Sequence, residues 1–379
     1  MTDSPTTDPQ YPGRLIEQVK TAVAARTPLR IAGGDTKAFY GEPIAGQPLS
    51  TREWRGIVAH EPTELVITVR AGTPLAEVEA ALAEAGQCLP FDPPRWGAAS
   101  TIGGVVAAGL AGPSRATVGG VRDFILGAQL VDGRGEWLSF GGQVMKNVAG
   151  YDVSRALAGS MGTLGVITQL SIKVLPVAPA EATLVFPLDQ HEALEQLHRW
   201  GGQPLPLNAS CWVRDDTAAD RPALLFVRLR GAIAAVESAC ERMLRNVGGG
   251  ERMDNAQAGP DWAACRDHVL PFFLAPSAPG LCLWRMSLPQ TAPVLDLPWA
   301  QLVEWQGAQR WLWAPAADAA RIRAAAAAAR GRATLFRADA SGAPGVPRFD
   351  AQGAAVTAIS RRLREAFDPH GVFNPGRMG

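Results

Sequence analysis

Hydrophobic residues recur with helical and strand periods along the first half of the chain. Apolar side chains within Leu15–Val23 fall on one helical face, which predicts an amphipathic helix over residues 12–25. The short apolar segment Leu29–Ala32 predicts a strand that runs into a glycine-containing loop. Apolar and polar residues alternate over Val166–Val174, and this period of two predicts a half-buried strand. The pattern therefore mixes helices and strands from the start.

A second helix is marked by its end signals. We expect Thr73 to be its N-cap, Pro74 to occupy its first helical position, and Gly86 to end it. The same kind of pattern predicts strands over residues 56–58, 65–69 and 121–131, the last of which is turned back by Asp132-Gly133.

The pattern changes after the proline-containing segment 176–179. Strands and two amphipathic helices follow in the order β-α-β-β-α-β, which is typical of a ferredoxin-like layer. We interpret the segment after the second of these helices as a long loop, followed by a strand at 281–288 and an alanine-rich helix at 318–330. No internal repeat is visible. The fold class predicted is α+β, in segments 1–176, 177–340 and 341–379.

Composition narrows the class of protein. A chain of 379 residues with 47% hydrophobic content can bury two cores. Its formal net charge is +0, which gives no electrostatic reason to expect a nucleic acid or an acidic membrane as partner. The five cysteines include no Cys-x-x-Cys pair, so neither an iron–sulfur nor a structural zinc site is indicated. With a polar start and no long apolar run, the expectation is a soluble cytoplasmic protein.

Candidate chemistry lies in glycine-rich loops that follow strands. Gly33-Gly34-Asp35-Thr36-Lys37 places glycine amides, a hydroxyl and a cation together, and Gly103-Gly104 opens a run of small residues. Backbone amides that glycine leaves accessible can form an anion site. The alternative is a glycine-rich sheet with ordinary tight turns. Neither Gly-x-Gly-x-x-Gly nor Gly-x-x-x-x-Gly-Lys-Ser/Thr occurs, which disfavours a nicotinamide dehydrogenase and an NTPase.

Together these loops resemble a known family. The chain is similar to FAD-binding proteins of the vanillyl-alcohol oxidase and p-cresol methylhydroxylase (PCMH) type, and within them to FAD-binding subunits of 2-hydroxy-acid-oxidising complexes. The resemblance covers nearly the whole chain. It is carried by Arg30–Gly41, Glu61–Thr73, Thr101–Pro113, Gly141–Asp152, Gly162–Thr168 and Asp368–Met378.

The resemblance implies a PCMH-type FAD-binding domain of two α/β subdomains (1–176), a ferredoxin-like α+β cap (177–340) and a C-terminal segment (341–379) that returns to the FAD domain. Many relatives attach FAD through a histidine of the first loop, where this chain has Asp35, Thr36 and Lys37, so we expect noncovalent FAD. The implied cofactor-binding residues are Ala32, Gly33, Gly34, Asp35, Thr36, Lys37, Pro94, Ser100, Thr101, Gly103, Gly104, Val121, Asp123, Gly162, Thr163, Gly165, Val166, Ile167 and Asn374.

The implied reaction is removal of a hydride from a 2-hydroxy acid such as glycolate, which needs a cation for the carboxylate and a base for the hydroxyl proton. Clustered cap histidines of catalytic relatives are missing here. We take Arg266 and Arg285, flanked by aromatic residues, as candidates for an anion pocket, with core-edge arginines as the alternative. His370 in the tail is the remaining catalytic candidate, with a packing role as its alternative.

The resemblance also implies partners. They are a second flavoprotein subunit and an iron–sulfur subunit that passes electrons toward quinone, with the membrane reached only through those partners. Two alternatives stay open at this point: a stand-alone FAD-dependent dehydrogenase, and a non-catalytic scaffold subunit with the same fold.

Overall fold

A computed structural model describes residues 8–142, 152–214, 222–274, 276 and 278–379 of the chain. These residues group into two compact units. The first unit comprises residues up to Leu110 together with Gly120–Val177 and Ala351–Gly379, and the second comprises Ala111–Gly119 and Ala178–Asp350. None of the described helices combines the length and the apolar composition that crossing a bilayer requires.

The helices and strands alternate along the chain. The helices are α1 (Tyr11–Ala25), α2 (Leu75–Glu84), α3 (Ile102–Ala108), α4 (Arg115–Val118), α5 (Val153–Ala156), α6 (Gln190–Gly201), α7 (Ile233–Val247), α8 (Asn255–Asp267), α9 (Pro271–Leu274), α10 (Ala319–Ala328) and α11 (Ala354–Phe367). The strands are β1 (Leu29–Ala32), β2 (Gln47–Ser50), β3 (Ile57–Glu61), β4 (Val66–Arg70), β5 (Gln87–Cys88), β6 (Ile125–Val131), β7 (Trp137–Gly141), β8 (Val166–Lys173), β9 (Leu175–Pro176), β10 (Ala180–Phe186), β11 (Leu207–Arg214), β12 (Ala223–Gly231), β13 (Glu251–Met253), β14 (Leu281–Ser287), β15 (Gln301–Glu304), β16 (Gln309–Pro315) and β17 (Arg332–Arg337).

The first unit is built on a five-stranded antiparallel sheet with the strand order β3-β4-β8-β6-β7 and on a separate parallel pair, β1-β2. Strand β8, predicted from its alternation, lies at the centre of that sheet. Its first residue, Val166, is buried together with the inner face of α1. The sheet therefore fixes the loops at both ends of β8.

The C-terminal tail is part of the first unit's core. Val372 and Phe373 pack with α1 and β1. The backbone N–H of Leu29 donates to the carbonyl of Val372 at 2.7 Å, and the N–H of Asn374 donates to the carbonyl of Leu29 at 3.0 Å. Because the tail extends along β1, Asn374 is brought beside the loop that follows that strand.

The second unit contains one eight-stranded antiparallel sheet made of two similar halves. In the first half, β10 lies between β13 and β12, and β11 lies outside β12, which is the ferredoxin-like order. The second half repeats this order with β14 between β17 and β16, and β15 outside β16. The halves join where β11 pairs with β15. The predicted ferredoxin-like cap is confirmed, and the second half is an addition that the sequence pattern did not reveal.

Helices cover both faces of this sheet. The side chains of Ala182, Leu184 and Phe186 on β10 pack with α6 and α7, so the alternate residue Thr183 faces the other side. Trp262 of α8 donates its indole N–H to the hydroxyl of Thr183 at 2.9 Å, which places α8 on that other face. The interpretation of the segment after α7 as a long loop is therefore wrong, because this segment contains β13, α8 and α9.

Two smaller expectations are also corrected. The N-cap of α2 is Pro74 rather than Thr73, whose hydroxyl instead donates to the carbonyl of Arg70 at 2.7 Å. Residues Val121–Asp123 form a single 3₁₀ turn, and the strand that was predicted to begin there begins at Ile125.

Candidate functional site

A groove opens where β1 ends and the first glycine-rich loop begins. A cavity of about 280 Å³ lies there, and all its described lining residues belong to the first unit. The lining combines residues of the first loop, residues of α3, Met161 and the tail. Its predicted members are Ala32, Gly33, Gly34, Asp35, Thr36, Lys37, Thr101, Gly104 and Asn374.

The first and second loops touch through backbone and small side chains. A Cβ atom built on Gly34 would overlap the carbonyl oxygen of Ala99, and one built on Gly33 would overlap the hydroxyl oxygen of Thr101. Thr101 also caps α3, because its hydroxyl accepts the backbone N–H of Gly104 at 3.3 Å. Glycine is therefore required at positions 33 and 34 to bring the two loops into contact.

Lys37 is one of three cationic residues that line the groove, with Arg30 and Arg377. Its ammonium group donates to the hydroxyl of Ser100 at 2.7 Å and to that of Thr36 at 3.4 Å. The carboxylate of Asp35 is held by Arg30, with N–O distances of 3.1 and 2.9 Å. Because Arg30 offsets the charge of Asp35, an anion near Lys37 meets a cation and hydroxyl groups rather than a bare carboxylate.

Asn374 ties three segments together. Its side-chain Oδ1 accepts the backbone N–H of Ile31 at 2.8 Å, and its Nδ2 donates to the carbonyl of Met161 at 2.7 Å. Both bonds are shielded, since Asn374 is only 5% exposed. Arg377 adds bonds to the carbonyls of Glu42 at 2.7 Å and of Ala38 at 2.9 Å. The tail therefore fixes the position of the first loop.

A smaller cavity of about 70 Å³ continues the groove. It shares Gly33, Gly104 and Asn374 with the larger cavity. The additional predicted residues along it are Gly103, Gly162, Gly165 and Ile167. The loops around residues 33, 101 and 162, which are far apart in sequence, thus border one continuous groove.

Some of the predicted cofactor residues do not line either cavity. Ser100 contributes only through its bond to Lys37. Pro94, Val121 and Val166 are buried in the first unit. Asp123 accepts the backbone N–H of Gly120 at 2.8 Å, and Thr163 donates its hydroxyl to the carbonyl of Ser160 at 2.7 Å. In the motif Gly141–Asp152, residues 143–151 lie outside the described part of the chain.

The residues along the groove fit a dinucleotide. Four loops offer closely approached glycine backbone, hydroxyl groups and one lysine, which is the donor set that a diphosphate requires. The groove residues that sequence reasoning missed include Ile31, Met161 and Arg377. Of these, Arg377 had a signal, because it closes the tail motif that supplied Asn374.

The two arginines among the catalytic candidates contact neighbouring side chains. The guanidinium group of Arg266 is bonded to Asp267 at 3.0 and 2.6 Å, so its charge is already offset. Arg285 stacks over Phe336, 5.4 Å from the ring centroid. Neither arginine is among the described residues that line the groove or the smaller cavity that continues it, and His370 is exposed in the turn after α11. Both arginines therefore fit the alternative interpretation, in which they lie at the edge of the core.

A buried polar cluster in the second unit was not predicted. The Glu304 carboxylate accepts bonds from the indole of Trp311 at 2.6 Å, the amide of Gln309 at 3.0 Å and the thiol of Cys265 at 3.3 Å. Burial raises the pKa of Glu304 despite these donors. Nearby, burial lowers the pKa of His268 well below its usual range, which leaves the imidazole neutral. These groups stabilise the sheet rather than present charge to a ligand.

Known proteins are similar to this chain in sequence. Residues 8–141 match a family model described as an FAD binding domain, which confirms the predicted cofactor. The chain is 46% identical over 368 residues to glycolate oxidase subunit GlcE of Escherichia coli (strain K12), covering 97% of each chain. It is 30% identical over 173 residues to glycolate oxidase subunit GlcD of Bacillus subtilis (strain 168), covering 45% of this chain and 37% of that one.

A solved structure shows the same fold. An alkyldihydroxyacetonephosphate synthase superposes with a TM-score of 0.65 at 14% identity, covering 96% of this chain and 74% of that one. The agreement extends over both units, which confirms the predicted fold class.

Proposed function

The chain belongs to the family of the glycolate oxidase subunit GlcE, among the FAD-binding proteins of the PCMH type, and from this premise we propose that it is the FAD-binding subunit of a complex oxidising glycolate or a related 2-hydroxy acid. In this proposal residues 1–176 and 341–379 hold the flavin, and residues 177–340 form the cap. The members of this family are FAD-linked oxidoreductases, and this chain is one of them. When bound, FAD supplies an acceptor for the hydride that leaves the carbon of a hydroxy acid.

One observation carries the proposal: loops from four distant parts of the sequence border a single groove. Within it we assign the diphosphate to Gly33, Gly34, Lys37, Thr101 and Gly104. The cation of Lys37 and the hydroxyls beside it supply charge-assisted bonds. Asn374 holds the first loop against the segment at Met161, so it positions the diphosphate site without needing to contact the substrate.

We propose that the flavin is held without a covalent bond. The first loop offers Asp35, Thr36 and Lys37 where many relatives of the PCMH type have a histidine. Asp35 is engaged by Arg30 and Lys37 by Ser100, so both side chains have positioning roles in the loop. The affinity for FAD then comes only from noncovalent contacts with the groove.

The proposal places no catalytic role on Arg266, Arg285 or His370. The first is paired with Asp267, the second stacks on an aromatic ring, and the third is exposed. Substrate recognition by this chain would therefore draw on other groups or on a partner. This supports a subunit role over a stand-alone dehydrogenase.

The proposed partners are a second flavoprotein subunit and an iron–sulfur subunit that passes electrons toward quinone. One helix supports a protein contact: Val356, Ile359 and Leu363 follow one another on one face of α11 and are 48%, 65% and 36% exposed. The proposed location is the cytoplasm, with the membrane reached through these partners. The relative from Escherichia coli is itself described as a subunit.

A charge reversal at Lys37 tests this function. The complex is purified with Lys37→Glu in this chain, and FAD content and glycolate-dependent reduction of an artificial dye are measured. We expect the complex to assemble, to lose the flavin of this chain, and to lose activity, because a carboxylate then faces the diphosphate. Lys20→Glu, on the exposed side of α1, is the matched control and should leave both quantities unchanged.

Two results would replace the proposal. Full activity after loss of this flavin would make the chain a scaffold subunit. Turnover of glycolate by the isolated chain, at the rate of the complex, would make it a stand-alone dehydrogenase.

A further inference from the structure

The second unit contains a large cavity that the proposed function does not use. Its volume is about 650 Å³, whereas a water molecule takes about 30 Å³ of liquid. It lies between α8, α9 and the face of the sheet that carries Thr183. Cavities of this size with mostly apolar walls hold small organic molecules in other proteins. Its walls contain five aromatic side chains: Phe226, Trp262, Phe272, Trp299 and Trp313.

Three side-chain donors on the wall already have partners. The indole N–H of Trp262 donates to Thr183 at 2.9 Å, and that of Trp313 donates to the carbonyl of Phe272 at 2.6 Å. The thiol of Cys265 donates to the buried carboxylate of Glu304 at 3.3 Å. A carboxylate or phosphate placed inside would therefore lose its hydration without gaining donors, which is costly.

The charged groups on the lining do not favour an anion either. Among the described lining residues they are Arg214 and Asp261, which have opposite signs and are both exposed. Their two charges therefore add to zero net charge on the described lining.

We propose that this cavity binds a neutral, flat and largely apolar molecule of about two fused rings, which stacks among the indole side chains. Indole faces pack well against flat rings in offset or edge-to-face geometry. The inference does not rest on the flavin, and it differs from the expectation of an anion pocket near Arg266.

Two probes of the same shape test the predicted preference. Equilibrium dialysis of the full-length chain is carried out with 2-naphthol, which is neutral at neutral pH, and with 2-naphthoate, which is an anion. Each is measured with and without saturating FAD, so that occupation of the flavin groove is recognised separately. We expect saturable binding of 2-naphthol that FAD does not displace, and binding of 2-naphthoate at least about tenfold weaker.

Variants locate the binding. Ala300 lines the cavity and is exposed, so Ala300→Trp should fill the entrance without disturbing the core, and should weaken 2-naphthol binding by at least about tenfold. Met253→Trp is a second filling variant from a different part of the wall. Ala355→Trp, on the exposed surface of α11, is the matched control.

Three results, and a fourth in the control variant, would overturn the proposal. They are the absence of saturable 2-naphthol binding, equal affinity for 2-naphthoate, and unchanged binding in both filling variants. Loss of binding in the Ala355→Trp control to the same extent would do so as well.

Discussion

Gly162 occupies a position where an added methyl group has two separate costs. Its φ of +74° lies in the left-handed region, where a Cβ atom costs about 1–2 kcal/mol. A Cβ atom there would also stand 2.7 Å from Nδ2 of Asn374, closer than such atoms approach in proteins. Since Nδ2 bonds the carbonyl of Met161 at 2.7 Å, the methyl group must break that buried bond, at a further cost of about 1–3 kcal/mol. We therefore expect Gly162→Ala to lower the free energy of unfolding by about 2–5 kcal/mol.

Gly159 provides the matched control. Its φ is +84°, and an added Cβ atom would have no heavy atom within 4 Å. Gly159→Ala therefore carries only the backbone cost of about 1–2 kcal/mol. Urea unfolding of both variants without FAD gives the difference between them. Fluorescence titration with FAD should then show at least about tenfold weaker binding for Gly162→Ala, because Asn374 no longer holds the first loop in place.

A double-mutant cycle decides whether Asn374 is the cause. In an Asn374→Ala background the clash is absent, so Gly162→Ala should cost no more than Gly159→Ala. Equal losses for the two glycine variants in the natural sequence would refute the reasoning. An excess cost that persists without the Asn374 side chain would refute it too.

Three further predictions follow from single side chains. Lys37→Met should weaken FAD binding by roughly 10-fold and reduce its salt dependence in fluorescence titrations at several ionic strengths, whereas Lys20→Met should change neither. Because burial raises the pKa of Glu304 above 4.5, the stability that its protonated form contributes is lost as pH rises from about that value. Urea unfolding between pH 4 and 8 should then show Glu304→Gln gaining stability relative to the natural chain as pH rises, and a flat difference would contradict this. The guanidinium group of Arg310 is buried, which lowers its pKa to about 10, and it donates to three carbonyls. Thermal or urea unfolding should therefore show that Arg310→Leu lowers the free energy of unfolding by about 2–4 kcal/mol. The exposed Arg242→Leu should lower it by under about 0.5 kcal/mol.

The sequence predicts the groove well because glycine is needed where backbones meet. Gly33 and Gly34 are glycines since any side chain would strike the second loop, and such a constraint leaves a local signature. Strand β8 was equally predictable from its period of two, although both of its faces are largely buried in the folded chain. The contact of Asn374 with Ile31 spans 343 positions. This contact was not predicted; the family resemblance implied only that Asn374 lies near the cofactor.

Other features leave no local signature. Helix α8 contains Pro260 and lacks a clear apolar stripe, so its segment was interpreted as a loop. The second ferredoxin-like half has a long connection in place of its first helix, which hides the repeat. The pairing of Arg266 with Asp267 joins neighbours on a helix, whose side chains do not normally face each other. An arginine among aromatic residues suggested an anion site, whereas the folded chain pairs Arg266 with Asp267.

The FAD content of the purified chain tests the central claim most directly. The account predicts that the isolated chain, after soaking with FAD and removal of excess, shows the visible absorption of oxidised flavin at one FAD per chain. It also predicts that acid precipitation releases all of that flavin into the supernatant. A chain that stays colourless after soaking with FAD would contradict the claim that these loops form one dinucleotide site, and flavin retained in the precipitate would contradict noncovalent binding.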